Sequence, residues 1–353
     1  MKVSIQGVKG SFHHLVTVNY FSSFELNECS TFDELVKSII DEDSEYGVMA
    51  IENSIAGSIL PNYALIDEYN LSITGEYSLS IDHNLMCLPG QSIDKIDEVH
   101  SHPMALLQCT KFFTRFPKIK LIESEDTALF AKKISENKIN GVGAIASKEA
   151  AEIYNLEILN SSIQTIKNNI TRFVIVEKNK KYISKFNKAA LKFILDHKRG
   201  SLASILNMMS DCNLNLTKIQ SLPVIKTPGK YAFFVDITFD SIDNYQKAIK
   251  IIELMAQEFK ILGEYKDKKS TATAEVYFFR HGNRNSAKID TQNFLKANKI
   301  KFIDKKTSLS SENITEFEVG GKTIRIAYKP RGGGSGGGAA VTAVTESAQC
   351  YFC

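Results

Sequence analysis

The feature that most constrains the fold is a regular alternation of short apolar runs with segments of helical periodicity between residues 2 and 177. Apolar runs rich in β-branched residues predict strands, and apolar residues that recur every three or four positions predict helices. This alternation is typical of α/β domains, in which helices cover a sheet. The predicted strands are 2–6, 46–51, 77–86, 98–100, 119–123 and 172–177, and the predicted helices are 31–40, 54–69, 103–113 and 127–136.

The order of elements changes after the polar stretch 178–188. Strands at 189–195, 214–223, 231–239 and about 259–265 flank helices at 201–212 and 244–256. This βαββαβ order is typical of a ferredoxin-like unit. The turn after its first strand ends at Gly200, where the absence of a side chain lets a ligand or another chain approach the backbone.

The remaining chain divides into two parts. The pattern of residues 271–331 predicts a small α+β segment with a hairpin that turns at Gly320-Gly321. These residues carry 12 Lys and Arg against 6 Asp and Glu. Because the whole chain has a net charge of +3, the rest of it is slightly acidic, which argues against nucleic acid as a partner of the main body. Residues 332–338 predict a flexible glycine-rich linker, and 339–353 form a tail that is too short to fold alone.

Cysteine usage and hydropathy indicate a soluble cytoplasmic protein. Cys29, Cys87, Cys109 and Cys212 are widely scattered, as reduced core thiols are, rather than spaced as a disulfide framework. No apolar stretch approaches the roughly 20 residues needed to cross a bilayer, so no membrane partner is expected.

The segment Asn169 to Phe173 places a hydroxyl donor beside a fixed cation at the edge of a predicted strand. Thr171 could donate a hydrogen bond to a leaving oxygen, and the planar fork of Arg172 fits a carboxylate. On spacing alone, the structural alternative is favoured, in which Arg172 pairs with an acidic neighbour and Thr171 bonds the strand backbone.

Two further motifs stand at predicted helix starts. Asn53 and Ser54 follow an apolar strand, and Ser101 and His102 precede Pro103. Side chains of this kind cap helices, and the free N–H groups of a helix start favour an anion. We expect Ser101 rather than His102 to be the ligand of its pair.

Neither metal nor cofactor chemistry is predicted. His13 and His14 are adjacent, and neighbours on a helix or strand do not share one face. Cys350 and Cys353 have C-x-x-C spacing but supply only half a zinc site. Gly7 and Gly10 follow a strand without the Lys-Ser/Thr ending of a phosphate loop, so we interpret them as a cleft-edge turn.

Several of these motifs stand in the order of a known family, and together they are more specific than any one alone. Downstream, Gly200-Ser201-Leu202 is similar to a Gly-Ala-Leu motif, and residues 215–223 are similar to an Asn-Leu-Thr-Lys-Ile-Glu-Ser-Arg-Pro signature. Over about residues 1–266 the chain resembles prephenate dehydratase with a C-terminal ACT regulatory domain.

The resemblance implies a two-lobed catalytic domain at 1–178, like the type II periplasmic binding proteins, with the substrate between the lobes. Residues 1–71 with 168–178 would form one lobe and the intervening residues the other. Residues 189–266 would form the ACT domain.

The resemblance also implies an activity. Prephenate would lose carbon dioxide and water to give phenylpyruvate, with no metal or redox cofactor. The catalytic residues would be Thr171, Arg172, Asn53, Ser54 and Ser101, and the substrate-binding residues would be Asn169, Phe173, Gly57, Ser58 and His102.

Phenylalanine is the implied allosteric ligand, bound between the ACT domains of a dimer or tetramer. The residues implied are Gly200, Ser201, Leu202, Asn215, Leu216, Gln220 and Ser221. Gln220 and Leu222 replace the usual Glu and Arg of the signature, and Arg199 replaces a usual Pro, which leaves the strength of inhibition open. Two alternatives to the main hypothesis also remain open: arogenate as the substrate, and a non-catalytic amino-acid sensor.

Overall fold

The computed structural model describes residues 1–179, 185–196, 198–224, 227 and 229–267, and beyond these only five strands. The chain forms two compact units, residues 1–268 and residues 269–353. None of the described helices is long and apolar enough to span a membrane.

The first unit begins with a lobe built on one sheet, which we call lobe 1. Its strands are β1 (Lys2–Gln6), β2 (Glu25–Cys29), β3 (Tyr46–Asn53), β4 (Gly57–Ser58), β5 (Ser72–Ser80) and β11 (Ile170–Glu177), and its helices are α1 (Phe12–Tyr20), α2 (Phe32–Ile40) and α3 (Leu60–Glu68). β1 is parallel to β2 and β3, and β11 is antiparallel to both β3 and β5.

A second lobe, lobe 2, is inserted between β5 and β11. Its strands are β6 (Asn84–Cys87), β7 (Glu98–Ser101), β8 (Lys120–Glu123), β9 (Val142–Ala146) and β10 (Glu157–Asn160), and its helices are α4 (Pro103–Phe113), α5 (Thr127–Asn137) and α6 (Lys148–Ile153). They form a separate sheet in the order β10-β6-β9-β7-β8. The chain therefore crosses between the lobes twice, and the lobes can enclose a cleft.

Residues 188–265 form the βαββαβ unit that the sequence predicts. Its elements are β12 (Lys188–Ile194), α7 (Ser201–Asp211), β13 (Asn215–Pro223), β14 (Tyr231–Thr238), α8 (Ile242–Met255) and β15 (Glu258–Tyr265). One face of its sheet packs on α7 and α8 through a core that includes Leu191 and Ile237. The other face shares a core with lobe 1, in which Phe234 and Leu262 pack with Tyr63 and Ile66 of α3.

The sheet of this βαββαβ unit continues into lobe 1. Strand β15 lies beside β5, joined at Gly263 and Ile73, so that the full strand order is β13-β14-β12-β15-β5-β11-β3-β1-β2. A Cβ atom at Gly263 would lie 2.1 Å from the carbonyl oxygen of Ile73. The absence of a side chain at Gly263 therefore permits this junction.

The second unit is a five-stranded antiparallel sheet. Its strands are β16 (Ala272–Tyr277), β17 (Phe302–Lys305), β18 (Ile314–Val319), β19 (Lys322–Lys329) and β20 (Ala340–Thr345), in the order β16-β20-β19-β18-β17. The hairpin predicted at Gly320-Gly321 has Val319 opposite Lys322. The tail, predicted to be too short to fold alone, contributes β20, which pairs with both β16 and β19. The helix predicted in this segment lies outside the described residues.

Candidate active site

A cavity of about 350 Å³ opens between the two lobes. Lobe 1 contributes the ends of β3 and β11 together with the first turn of α1, and lobe 2 contributes the first turns of α4 and α5. The lobes also contact each other beside it, where the Ser147 hydroxyl donates to the carbonyl oxygen of Gly10 at 2.6 Å. The volume is in the range of small-molecule sites.

Thr171 and Asn53 form the wall on the lobe 1 side. The amide Nδ2 of Asn53 donates to Thr171 Oγ1 at 2.8 Å and to Asn169 Oδ1 at 2.7 Å. Thr171 Oγ1 is an acceptor in this pair, so its own O–H is free to donate to a bound molecule. Both side chains line the cavity, whereas Asn169 lies behind them and is fully buried.

A bulge aims Asn53 at Thr171. Arg172 lies opposite Glu52 and Phe173 lies opposite Ala50, so Ile51 is the extra residue on β3. Such a bulge reverses the inward and outward alternation beyond it. Asn53 therefore faces the cavity, and its Oδ1 accepts from the backbone N–H groups of Ile55 and Ala56 at 3.0 and 2.9 Å.

The network extends from Asn169 into lobe 2. Asn169 Nδ2 donates to Gln108 Oε1 at 2.9 Å, and the same oxygen lies 2.9 Å from His83 Nε2. Gln108 Oε1 accepts from Asn169, so Nε2 of His83 carries the hydrogen that it donates to the same oxygen. Burial also lowers the pKa of His83. Gln108 and His83 line the cavity and complete a polar chain between the lobes.

The lining carries no lysine or arginine among the residues that the structure describes. Burial lowers the pKa of His13 to about 3, and it also lowers the pKa of His102. The starts of α1, α4 and α5 border the cavity, where the helix dipole favours an anion, and their first turns are capped by the side chains of Ser11, His102 and Asp126.

Asp126 is the carboxylate of the lining with the most perturbed acidity. It caps α5 by accepting from the N–H groups of Ala128 and Leu129 at 2.8 and 2.9 Å. Burial nevertheless raises its pKa to about 6. A Cβ atom at Gly7 would lie 2.6 Å from Asp126 Oδ2, so the glycine lets lobe 1 approach this carboxylate closely.

Comparison with known proteins identifies the family of this chain. The family profile described as prephenate dehydratase matches residues 3–181. The bifunctional chorismate mutase/prephenate dehydratase of Buchnera aphidicola subsp. Acyrthosiphon pisum is 35% identical over 278 residues, which cover 77% of this chain and 72% of that protein. The chain belongs to the prephenate dehydratase family.

Two solved structures of the family have the same architecture. The prephenate dehydratase of Staphylococcus aureus is 28% identical, with a TM-score of 0.66 over 75% of this chain and 100% of that one. The prephenate dehydratase of Arthrobacter aurescens, solved in complex with L-Phe, is 19% identical, with a TM-score of 0.69 over 84% of this chain and 99% of that one. The two-lobed α/β fold is thus that of the family.

Arg172 requires a correction, because its side chain does not line the cavity of this dehydratase-family chain. Successive side chains of a strand point to opposite faces, so Thr171 and Phe173 face the cavity and Arg172 points away. Its guanidinium is paired with Asp236, with Glu76 at 3.2 Å and with Glu52 at 3.3 Å. The structural alternative for this arginine is therefore the one observed, and a direct bond to a substrate carboxylate is not.

Ser101 and His102 also differ from the expectation, because His102 rather than Ser101 lines the cavity. Ser101 is fully buried, and its hydroxyl donates to the carbonyl oxygen of Ile145 at 2.7 Å. His102 lines the cavity, and its Nδ1 caps α4 by accepting from the N–H of Met104 at 3.2 Å.

Ser54, Gly57 and Ser58 lie beside the cavity rather than in its lining. Ser54 Oγ accepts from the N–H of Ile170 at 2.9 Å, which ties the end of β3 to the start of β11. Gly57 and Ser58 form β4 and pair with β3. The helix predicted from residue 54 begins only at Leu60, because this short hairpin precedes it.

Sequence reasoning missed Gln6, Phe12, His83 and Gln108 as lining residues. Phe12 follows the turn at Gly7 and Gly10, and the other three residues carried no local signal. His13, interpreted only as half of a rejected metal pair, packs its ring against Phe173 with centroids 5.0 Å apart. Among the described residues no group of three or more metal-binding side chains occurs, and the Cys350/Cys353 pair lies outside them.

The residues expected to bind phenylalanine fall into two groups. Ser201 and Leu202 line a cavity of about 190 Å³ with Asp196, Lys198 and Tyr231, among others, and Gly200 precedes α7 in the left-handed conformation with φ +84°. Asn215, Leu216, Gln220 and Ser221 lie on β13 and do not line this cavity. Within the described part of the chain, β13 pairs only with β14, so it is an edge strand.

Proposed function

We propose that this enzyme converts prephenate into phenylpyruvate in phenylalanine biosynthesis, with Thr171 as the donor to the departing hydroxyl. The observation that carries the proposal is the Asn53–Thr171 pair on the cavity wall. Asn53 Nδ2 occupies an acceptor site of Thr171 Oγ1 at 2.8 Å and leaves the Thr171 proton for the ligand.

The elimination needs little from the protein beyond orientation and a hydrogen-bond donor. The bond between the ring and its carboxylate breaks, and its electrons enter the ring as the C–O bond to the hydroxyl breaks. Carbon dioxide and water leave, and the departing oxygen takes up one proton. Thr171 contacts that oxygen directly or through one water, and aromatization supplies the driving force.

The two carboxylates of the substrate lie in a cavity bordered by the starts of α1, α4 and α5. The dipoles of these helices favour an anion without a cation that would over-stabilise the carboxylate to be lost. Phe12 and Phe173 supply apolar walls around the ring, where a low dielectric favours loss of charge.

The first experiment is phenylpyruvate formation from prephenate by the wild type, Thr171→Val and Thr171→Ser. Removal of one such donor typically lowers kcat by about 10²- to 10³-fold. We expect this loss in Thr171→Val and turnover within about tenfold of wild type in Thr171→Ser, which keeps the hydroxyl. Absence of turnover in a well-folded wild type would favour the sensor hypothesis, and faster turnover of arogenate would reassign the substrate.

We further propose that phenylalanine regulates the enzyme at the cavity formed by Ser201 and Leu202. Gly200 leaves the backbone at the start of α7 open, and Asp196 is placed to pair with the ligand ammonium group. Support comes also from the Arthrobacter aurescens relative, whose structure holds L-Phe.

The same proposal includes a dimer that pairs through β13. This strand presents a free edge nine residues long, and Ile219 on it is 39% exposed. A second copy would cover the edge and bring its Asn215, Leu216, Gln220 and Ser221 toward the phenylalanine cavity.

The proposed location of the enzyme is the cytoplasm. The four free cysteines of the described region fit this reducing compartment.

A further inference from the structure

A buried cluster of ionic side chains lies between lobe 1 and the βαββαβ unit of β12 to β15, which we call the regulatory unit after its proposed role. Its cations are Arg172, Lys188 and Lys218, and its anions are Glu52, Glu76, Asp236 and Asp267. Six of the seven side chains are less than 15% exposed. Charged groups are seldom buried together without a role that compensates for their desolvation.

Two members of the cluster are sequence neighbours of the proposed catalytic pair. Arg172 follows Thr171 on β11, and Glu52 precedes Asn53 on β3. Arg172 and Glu52 lie opposite each other in the sheet, as do Thr171 and Asn53. The two strand ends therefore carry the catalytic pair on one face and an ion pair on the other.

The regulatory unit holds that ion pair through two side chains. Asp236 on β14 accepts from Arg172 Nη2, and Lys218 on β13 lies 3.0 Å from Glu52 Oε2. Lys218 Nζ also lies over the ring of Tyr63, 5.0 Å from its centroid, and the Tyr63 hydroxyl accepts from Arg172 at 3.0 Å. Of these strands, β13 is the edge strand of the sheet and carries the signature segment 215–223 itself.

We infer that Asp236 and Lys218 are positioning residues through which the regulatory unit sets the placement of Thr171 and Asn53. The inference rests on the proposed dehydratase activity and its regulation. A shift of β13 and β14 on ligand binding moves Asp236 and Lys218, which pull on Arg172 and Glu52. A displacement of the neighbouring catalytic side chains by a fraction of an ångström weakens the hydrogen bond to the leaving oxygen.

Turnover without phenylalanine does not depend on these contacts alone. Arg172 keeps three partners within lobe 1 when Asp236 is lost, namely Glu52, Glu76 and Tyr63. The charge count also favours folding of Asp236→Asn, because three cations then face three anions. Lys218→Met retains the apolar stem, and Glu52 is 38% exposed and stays hydrated.

The chain offers a matched control at the same interface. Asp67 on α3 pairs with Lys192 at 2.5 Å and with Lys260 at 3.0 Å, both from the regulatory unit. Asp67→Asn thus removes an anion between the regulatory unit and lobe 1. The lysines paired with Asp67 lie on β12 and β15, away from β11 and the end of β3.

The experiment measures prephenate turnover against phenylalanine concentration, and phenylalanine binding by calorimetry, for the wild type, Asp236→Asn, Lys218→Met and Asp67→Asn. Coupling between sites is typically worth about 5- to 150-fold, so we expect saturating phenylalanine to inhibit the wild type by a factor in this range and Asp236→Asn and Lys218→Met by less than about twofold. Phenylalanine should still bind both, and kcat without it should stay within about threefold of wild type. Asp67→Asn should respond as the wild type does.

Four results would overturn the inference: unchanged inhibition in both variants, loss of phenylalanine binding itself, equal desensitisation of Asp67→Asn, or a wild type that turns over but ignores phenylalanine. The first three leave the proposed function intact, and the fourth removes its regulatory part. A wild type without turnover would reject the dehydratase proposal and this inference together.

Discussion

Asp126 provides the sharpest test of the electrostatics of the cleft. Its carboxylate is 8% exposed, and burial raises its pKa from an ordinary 3.8 to about 6. The folded protein therefore binds more protons than the unfolded chain between these two values, and its stability falls as pH rises through that window. Asp126→Asn removes this titration while keeping the cap of α5, because Asn and Asp are equally good N-caps.

The size of the effect follows from the two pKa values. They differ by about 2, and each pH unit corresponds to about 1.4 kcal/mol, so the ionised carboxylate costs about 3 kcal/mol at neutral pH. Between about pH 4.5 and pH 7.5 the wild type should lose roughly 2 kcal/mol that the variant keeps.

The assay is urea unfolding of both proteins at these two pH values. Other groups titrate in both proteins, so the informative quantity is the difference between variant and wild type, which should grow in favour of Asp126→Asn as pH rises. A difference that stays constant to within about 0.5 kcal/mol, or that favours the wild type at high pH, would refute the argument from burial.

The KM for prephenate should rise above about pH 6 in the wild type only, because an ionised Asp126 repels the dianion.

Three further changes test other parts of the structure. Asn53→Ala should lower kcat by about 10²-fold in the phenylpyruvate assay, since Thr171 loses the donor that orients it; near-normal kcat would reject the pair. Gly263→Ala should lower the free energy of unfolding by about 1–3 kcal/mol, because its Cβ atom would lie 2.1 Å from a carbonyl oxygen, and an unchanged melting temperature would contradict the β15–β5 junction. Ile219→Glu should convert the proposed dimer to monomers in light scattering, and an unaltered mass would exclude β13 pairing.

Much of the fold could be predicted from local patterns. The alternation of strands and helices and the βαββαβ order depend on periodicity within each segment, which the sequence displays directly. The β4 hairpin before α3 could not be predicted, because residues 54–58 form no helix once Asn53 Oδ1 binds the N–H groups of Ile55 and Ala56. The joined sheet depends on a contact between Gly263 and Ile73, which no local pattern reveals.

The site shows the same division between local and long-range information. The resemblance selected Asn53 and Thr171, which do line the cavity, but it also selected Arg172, which strand alternation turns to the other face. That rule was available from the sequence alone. The partners Glu76 and Asp236 could not be predicted in this way, because they lie on other strands, 96 and 64 residues away from Arg172 in the sequence.

The shared core between α3 and the regulatory sheet determines how this chain can be divided. Met49, Ile66 and Val174 of the catalytic lobe pack in one cluster with Phe234 and Leu262. A fragment that ends near residue 179 would uncover this apolar surface, the edge of β5 and an arginine with fewer partners. A substitution in this shared core thus changes the stability of lobe 1 and of the βαββαβ unit together.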